Sequence, residues 1–295
     1  MTHVFVSPHP DDAALSCGGL IEALRARGEP VAILTVFCGP GPLDRLTPYQ
    51  RLALGFGRQR EWQPGDDDTR TEGEAEAGPE PAEYDAEGDA GPPTPAEVMA
   101  VRCAEDEAYA RFAGASIDFV NLPDAVFRGY ESDEQLMGAP RSDDPAPADE
   151  LRRALARLRP GTLYLPLSIG GHVDHRQVRR AAIALLSEPA SPCLDRAFFY
   201  EDFPYALTVG FERLDQLDPE ILPSLPSGIA LAPEYVRIGD EIDRKLEGLR
   251  AYESQLGRLF GGDHLMAAAV REQAARVGRL GGTGPSERYW RVTTS

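Results

Sequence analysis

Residues 4 to 24 read VFVSPHPDDAALSCGGLIEAL, and His9, Asp11 and Asp12 stand together where an apolar run gives way to a helical pattern. A second cluster, GGHVDH, holds His172, Asp174 and His175. These two clusters contain three of the five histidines of the chain. Imidazoles and carboxylates bind divalent metals, and a catalytic metal keeps three protein ligands and one open position. Two imidazoles with one carboxylate suit zinc, but they also suit Fe(II), so the ligand types alone do not choose. A water at the open position is acidified to a pKa of ~7 and becomes a nucleophile at neutral pH. A second carboxylate can take its proton, and a further histidine can polarise a carbonyl or protonate a leaving group. The six residues of the two clusters supply every one of these roles.

The elements around the clusters explain how they can meet. HVFVS reads as a short buried strand, bounded by Pro8 and Pro10. Asp11 or Asp12 can cap the helix that follows, and Gly28 ends it. PVAILTVFCG is a second buried strand, so the first 39 residues or so form a βαβ unit and imply a parallel sheet. TPAEVMAVRCAEDEAYARFAG is a helix with capping-box spacing from Thr94 to Glu97. SIDFVNLPD is a third strand, 141–148 a polar Pro-rich linker, ADELRRALARLRPG a helix and TLYLPLS a fourth strand. GGHVDH then runs into another helix. RAFFYEDFP reads as a fifth strand whose end can line a cleft, 240–258 and 264–280 as helices, and RYWRVT as a last strand. In open α/β sheets, ligands bind outside the carboxyl ends of the strands. Both clusters therefore fall on the edge where a site belongs, although 166 positions separate His9 from His175. Either cluster alone reads more readily as a cap or a turn; two at matching strand ends favour a metal site.

Composition narrows the function classes. The net charge of −18 and the lack of a Lys/Arg cluster argue against a nucleic-acid partner. Residues 64–95 hold 11 acidic residues and one arginine, so −10 of that charge lies in one stretch almost without large apolar residues. Such a segment cannot offset its ordering entropy and is expected to be a mobile acidic insertion. Residues 1–295 otherwise read as a single α/β domain. No apolar run approaches the ~18 residues of a membrane span, and no basic-then-apolar leader opens the chain. Cys17, Cys38, Cys103 and Cys193 form no CxxC pair. A cytoplasmic protein is expected, with a homo-oligomer left open.

PHPDD followed by GGHVDH resembles the LmbE/PIG-L family of metal-dependent N-deacetylases, whose members act on N-acetylglucosamine-type compounds. VRCAEDEAYARFAGASIDFVNLPD and KLEGLRAYESQL are similar to two further, weaker family segments. The resemblance implies a Rossmann-like fold with a mostly parallel sheet flanked by helices, and hydrolysis of an N-acyl group from a small amino-sugar conjugate. It implies Zn2+ (Fe2+ or another divalent ion being the alternative) held by His9, Asp12 and His175. It makes Asp11 the general base, and His172 the histidine that assists at the carbonyl and leaving nitrogen, with Asp174 as its orienting carboxylate. Arg102 and Asp124 match positions that contact substrate hydroxyls. Two departures stand out: Ala13 replaces the usual Glu, and Gly170 stands where some members have Tyr.

Two other classes compete. A His-x-Asp with a distant His also describes an Fe(II) oxygenase, but that triad usually sits on an all-β jelly roll. A non-catalytic metal- or sugar-binding relative would keep the ligands and has no need of Asp11 and His172.

Overall fold

The apolar runs fold as strands buried on both faces, and these decide where the site can form. The computed structural model describes residues 1–56, 93–188, 196–216 and 229–294. The expected acidic insertion, 64–95, lies outside the described residues except for its last three positions.

The chain opens with β1 (His3–Ser7), α1 (Asp12–Ala26) and β2 (Val31–Gly39), the βαβ unit read from the sequence. A short α2 (Pro48–Ala53) precedes α3 (Pro95–Ala113) and β3 (Ser116–Pro123). Next come α4 (Asp133–Leu136), α5 (Ala148–Leu158), β4 (Thr162–Pro166), α6 (Val173–Leu186) and β5 (Ala197–Tyr200). The remainder comprises α7 (Tyr205–Val209), β6 (Ile229–Arg237), α8 (Ile242–Leu249), α9 (Glu253–Phe260), α10 (Asp263–Leu280) and β7 (Ser286–Thr294).

The strands form one seven-stranded sheet in the order β3-β2-β1-β4-β5-β7-β6. The first five strands are parallel to their neighbours, and β7 runs antiparallel to both β5 and β6. From β1 the chain moves outward to β2 and β3, then returns to β4 on the other side of β1. The order therefore reverses between β1 and β4, and a crevice opens at their carboxyl ends. His9 follows β1 and His172 follows β4, so both clusters fall on that crevice. This alternation of strands and helices is not the all-β frame of the oxygenase reading.

Side chains alternate between the two faces, as the period of a strand requires. Phe5, Ile33 and Tyr164 point into one apolar core with residues of α1, α3, α8 and α10. Val4, Val6, Leu34, Leu163 and Leu165 point into the other, with residues of α5 and α6. Helices on both faces explain why these strands are apolar throughout. The box expected at the start of α3 is present: Glu97 N–H donates to Thr94 Oγ1 at 3.2 Å, and Thr94 N–H to Glu97 Oε2 at 2.8 Å.

The structure departs from the sequence expectations at several elements. The helix α2 is an element not predicted from the sequence, although its capping box, Thr47 with Gln50, is a local signal for one. β6 has no clear strand signal in the sequence, being an edge strand containing Pro233, which central strands exclude. The single helix expected over 240–258 is two, broken where buried Tyr252 donates to Asp106 Oδ1 at 2.7 Å.

Gly18-Gly19 lets α1 approach its neighbours closely. Gly19 and Leu20 N–H donate to the carboxylate of Glu287 at 2.9 and 3.0 Å, and Lys245 Nζ donates to Glu287 Oε1 at 2.8 Å. A Cβ on Gly19 would lie 2.6 Å from Ile238 Cγ2, and Ile238 is fully buried. Overpacking of this kind costs about 1–3 kcal/mol, against a helix-propensity gain of about 1 kcal/mol for replacing Gly by Ala. Gly19→Ala is therefore expected to lower stability by up to about 2 kcal/mol in denaturant unfolding; an unchanged midpoint would show that Ile238 can yield.

Candidate active site

The turn after β1 is tied by its own side chains. Ser7 Oγ donates to His9 O at 2.7 Å and accepts from Ala13 N–H at 2.9 Å. Ser7 thus supplies the side-chain acceptor at the start of α1, and neither Asp11 nor Asp12 caps the helix as the sequence suggested. Asp12 turns inward instead, and its Oδ2 accepts from His9 N–H at 2.8 Å. Asp11 holds the helix-initiating position at φ 110°, a conformation that costs a non-glycine residue about 1–3 kcal/mol and is characteristic of functional sites.

After β4, the Asp202 carboxylate accepts from Ile169 N–H at 2.8 Å and so ties the loop to the end of β5. His172 caps α6, its Nδ1 accepting from Asp174 N–H at 3.3 Å. A neutral imidazole accepting at Nδ1 carries its proton on Nε2. His175 falls on the first turn of α6 and faces the β1 cluster across the crevice.

His9, Asp11, Asp12, Arg102, Asp124, His172, Asp174 and His175 are all buried. Asp174 is sealed behind the site, whereas His9, Asp11, Asp12, Arg102, Asp124 and His172 line a cleft of about 610 Å³. At its centre, Asp12 Oδ2 lies 3.2 Å from His9 Nδ1 and 3.2 Å from His175 Nε2. Ligand atoms on a tetrahedral zinc are about 3.3 Å apart, given bonds of about 2.0–2.1 Å. His175 Nε2 is buried and makes no hydrogen bond, although it lies that close to Asp12. The orphaned nitrogen and a second imidazole nitrogen, each at this spacing from one carboxylate oxygen, fit ligands of a divalent ion. Ring nitrogens of His9, His172 and His175 come within 4.8 Å of one another, as do ligand atoms of His9, Asp124 and Asp174. Those groupings use a histidine that is already accepting from a backbone N–H, or the far nitrogen of His9.

The far nitrogens are held by carboxylates. His9 Nε2 lies 2.8 Å from Asp174 Oδ2, and His175 Nδ1 lies 2.6 Å from Asp202 Oδ1. Such pairs fix the tautomer and turn the other nitrogen toward a metal. Asp174 therefore does not orient His172 through its carboxylate; only its backbone N–H reaches that ring. Its carboxylate is taken up by His9, by Ala125 N–H at 3.0 Å and by Arg128 at 2.6 Å. Arg102 lies 3.6 Å from Asp11 Oδ2 and 3.6 Å from Asp124 Oδ2, and donates to Pro10 O at 3.2 Å.

Among the described residues, negative charge predominates at the site. Five buried carboxylates (Asp11, Asp12, Asp124, Asp174, Asp202) stand against three arginines, Arg102 and Arg128 in ion pairs and Arg179 near Asp202. Burial opposes charging His9, but the charge of Asp124 and hydrogen bonds to Asp12 and Asp174 outweigh it and raise its pKa to about 9. Burial is likewise outweighed at His175, where Asp12 and Asp202 hold the pKa well above the usual range. Burial and the neighbouring charge of His9 keep His172 well below its usual value, so it stays neutral. Burial raises Asp11 to about 7, Arg102 pulling it down and Asp12 pushing it up. Without an ion, the surplus negative charge is met by protons on His9 and His175. A divalent cation can take over that duty as those protons leave.

Asp202 and Arg128 were not read as site residues. Asp202 carries a signal in the sequence, a carboxylate at the end of a predicted strand that can line a cleft. Arg128 gave none, because it acts through Asp174, 46 positions away.

A model described as PIG-L: GlcNAc-PI de-N-acetylase matches residues 4–186, which hold both clusters. The chain therefore belongs to this family. It is 29% identical over 261 residues to a 2'-N-acetylparomamine deacetylase of Streptomyces fradiae, over 85% of this chain and 72% of that one. Two solved structures share the fold. The zinc-inhibited form of a teicoplanin deacetylase has a TM-score of 0.69 at 20% identity, covering 100% of this chain and 99% of that chain. The deacetylase of A40926 pseudoaglycone has a TM-score of 0.67 at 23% identity, covering 99% and 97%. Among the described residues no helix is long and apolar enough to cross a membrane.

Asp202→Asn keeps the size of the side chain but offers Nδ1 a donor, which favours the tautomer with hydrogen on Nε2. Affinity for Zn2+, read by competition with a chromophoric chelator, is expected to fall about 10- to 100-fold with the fold retained. Unchanged affinity would remove Asp202 from the metal site.

Proposed function

We propose that the protein is a metal-dependent hydrolase that removes an N-acyl group, N-acetyl first of all, from a small amino-sugar-containing substrate. The observation that carries this reading is the placement of Asp12 Oδ2 at 3.2 Å from both His9 Nδ1 and His175 Nε2. The substrate named for the Streptomyces relative, an N-acetylated amino sugar, supports the substrate class. The reading takes residues 1–295 as one deacetylase domain.

His9, Asp12 and His175 would hold the ion, zinc by ligand type, with Fe2+ as the alternative. Bound there, a divalent ion supplies an acidified water and a Lewis acid for the acyl oxygen. Asp11, with its pKa raised to about 7 chiefly by burial, accepts the proton of the attacking water near neutral pH. His172, neutral and with Nδ1 occupied, donates from Nε2 to the acyl oxygen. Arg102 holds Asp11 in place and, with Asp124, meets substrate hydroxyls. Water adds to the acyl carbon and gives a proton to Asp11, the C–N bond breaks as that proton passes to the nitrogen, which leaves as the free amine, and the acyl group leaves as a carboxylate.

The test is amine release from a panel of N-acetylated amino sugars, N-acetylparomamine and N-acetylglucosaminyl compounds included, with Zn2+ or Fe2+ supplied. Asp11→Asn and His172→Ala should each keep the metal and lose ~10²-fold or more in turnover. Asp12→Asn should weaken metal binding, and added Zn2+ should partly restore that variant alone. An Asp11→Asn protein that loses its metal beside an Asp12→Asn protein that keeps it would reverse the roles.

A further inference from the structure

One residue of the cleft has no part in the roles above. Tyr205 opens α7 and lines the cleft with His9, Asp11, Asp12 and His172. Its ring stands edge-on to His175, with centroids 5.8 Å apart and planes at 88°. The ring also occupies the space a side chain at position 170 would need. A Cβ on Gly170 would lie 2.5 Å from Tyr205 Cγ and 2.6 Å from Cδ1, and Gly170 sits at φ +87°. A side chain at 170 and the Tyr205 ring therefore exclude each other, so the glycine in GGHVDH leaves room for a phenol brought from another element.

That phenol is firmly placed. Asp202, whose carboxylate holds His175, accepts from Ala206 N–H through its carbonyl at 2.9 Å. Arg276 of α10 donates to Ala206 O at 3.1 Å, and Thr208 Oγ1 donates to Tyr205 O at 2.9 Å. Among the described residues, the hydrogen bonds of Tyr205 run through its backbone, which leaves the hydroxyl for a ligand. A phenol is both donor and acceptor, and this one is anchored beside a metal-ligand histidine and behind the loop that carries His172.

We propose that Tyr205 is a further catalytic residue whose hydroxyl donates a hydrogen bond to the acyl oxygen of the substrate, alongside His172. This rests on the deacetylase reading. Charge grows on that oxygen as water adds, so a fixed donor strengthens most in the transition state, and its loss falls on kcat more than on KM.

The experiment compares the metal-loaded wild type with Tyr205→Phe, which keeps the ring against Gly170 and His175 and removes only the hydroxyl. Amine release from an N-acetylated amino sugar should show kcat lowered about 10- to 100-fold, with KM, metal content and melting temperature unchanged. Gly170→Ala, which crowds the ring, should lower kcat in the same direction. Wild-type kcat in Tyr205→Phe overturns the proposal. A raised KM at constant kcat overturns it too, by placing the hydroxyl on the sugar, and loss of metal reduces Tyr205 to packing. A wild type that releases no amine from any compound removes the deacetylase reading, and Tyr205 with it.

Discussion

Two buried carboxylates, Asp174 and Asp202, each hold one nitrogen of an imidazole, and the use of this crevice depends on that constraint. A histidine ring has two nitrogens, and only a fixed partner on one decides what the other can do. With Asp174 on His9 Nε2 and Asp202 on His175 Nδ1, the free nitrogens meet at the Asp12 carboxylate. The holders come from separate elements, the first turn of α6 and the end of β5. Each is anchored in turn: Asp174 by Arg128 and Ala125 N–H, Asp202 by Ile169 N–H. The sheet keeps these pieces in register through β1, β4 and β5, which are adjacent and parallel.

The electrostatics follow from the same arrangement. Buried carboxylates in excess of cations cannot all stay charged unless something positive joins them. The raised pKa values of His9 and His175 favour protons there, and a divalent ion would bring positive charge to the same place. Asp11 stands apart from this exchange. Its closest cation is Arg102 at 3.6 Å, and its backbone is strained at φ 110°. Adjacent, chemically alike residues thus have different surroundings: Asp12 between two imidazoles and well below its usual pKa, Asp11 with its burial offset less, chiefly by Arg102 at 3.6 Å, and raised to about 7.

Gly170 and Tyr205 show the same economy on the other wall of the cleft. The loop before His172 carries no side chain where the ring sits, and α7 supplies one from 35 positions further along the chain. Asp202 serves both walls, since its side chain holds His175 and its carbonyl receives the first turn of α7.

The sequence by itself determined the apolar runs, the βαβ start, the box that opens α3 and the chemistry-bearing residues His9, Asp11, Asp12, His172, Asp174 and His175. Those features are local, set by the period of a strand, the needs of a helix end and the chemistry of side chains close in the chain. Three features carry no such local mark and are not legible there: β6, with a proline at a sheet edge; the break at Tyr252; and Arg128, which acts through Asp174. The partners were decided by the tertiary structure. The family resemblance implied that Asp174 serves its neighbour His172, whereas helix geometry turns its carboxylate away to His9, 165 positions distant. Asp202 on His175 and Tyr205 against Gly170 likewise pair residues from different strand ends. Which carboxylate reaches which ring depends on the order β2-β1-β4-β5, and that order is settled only when both faces of the sheet are buried at once.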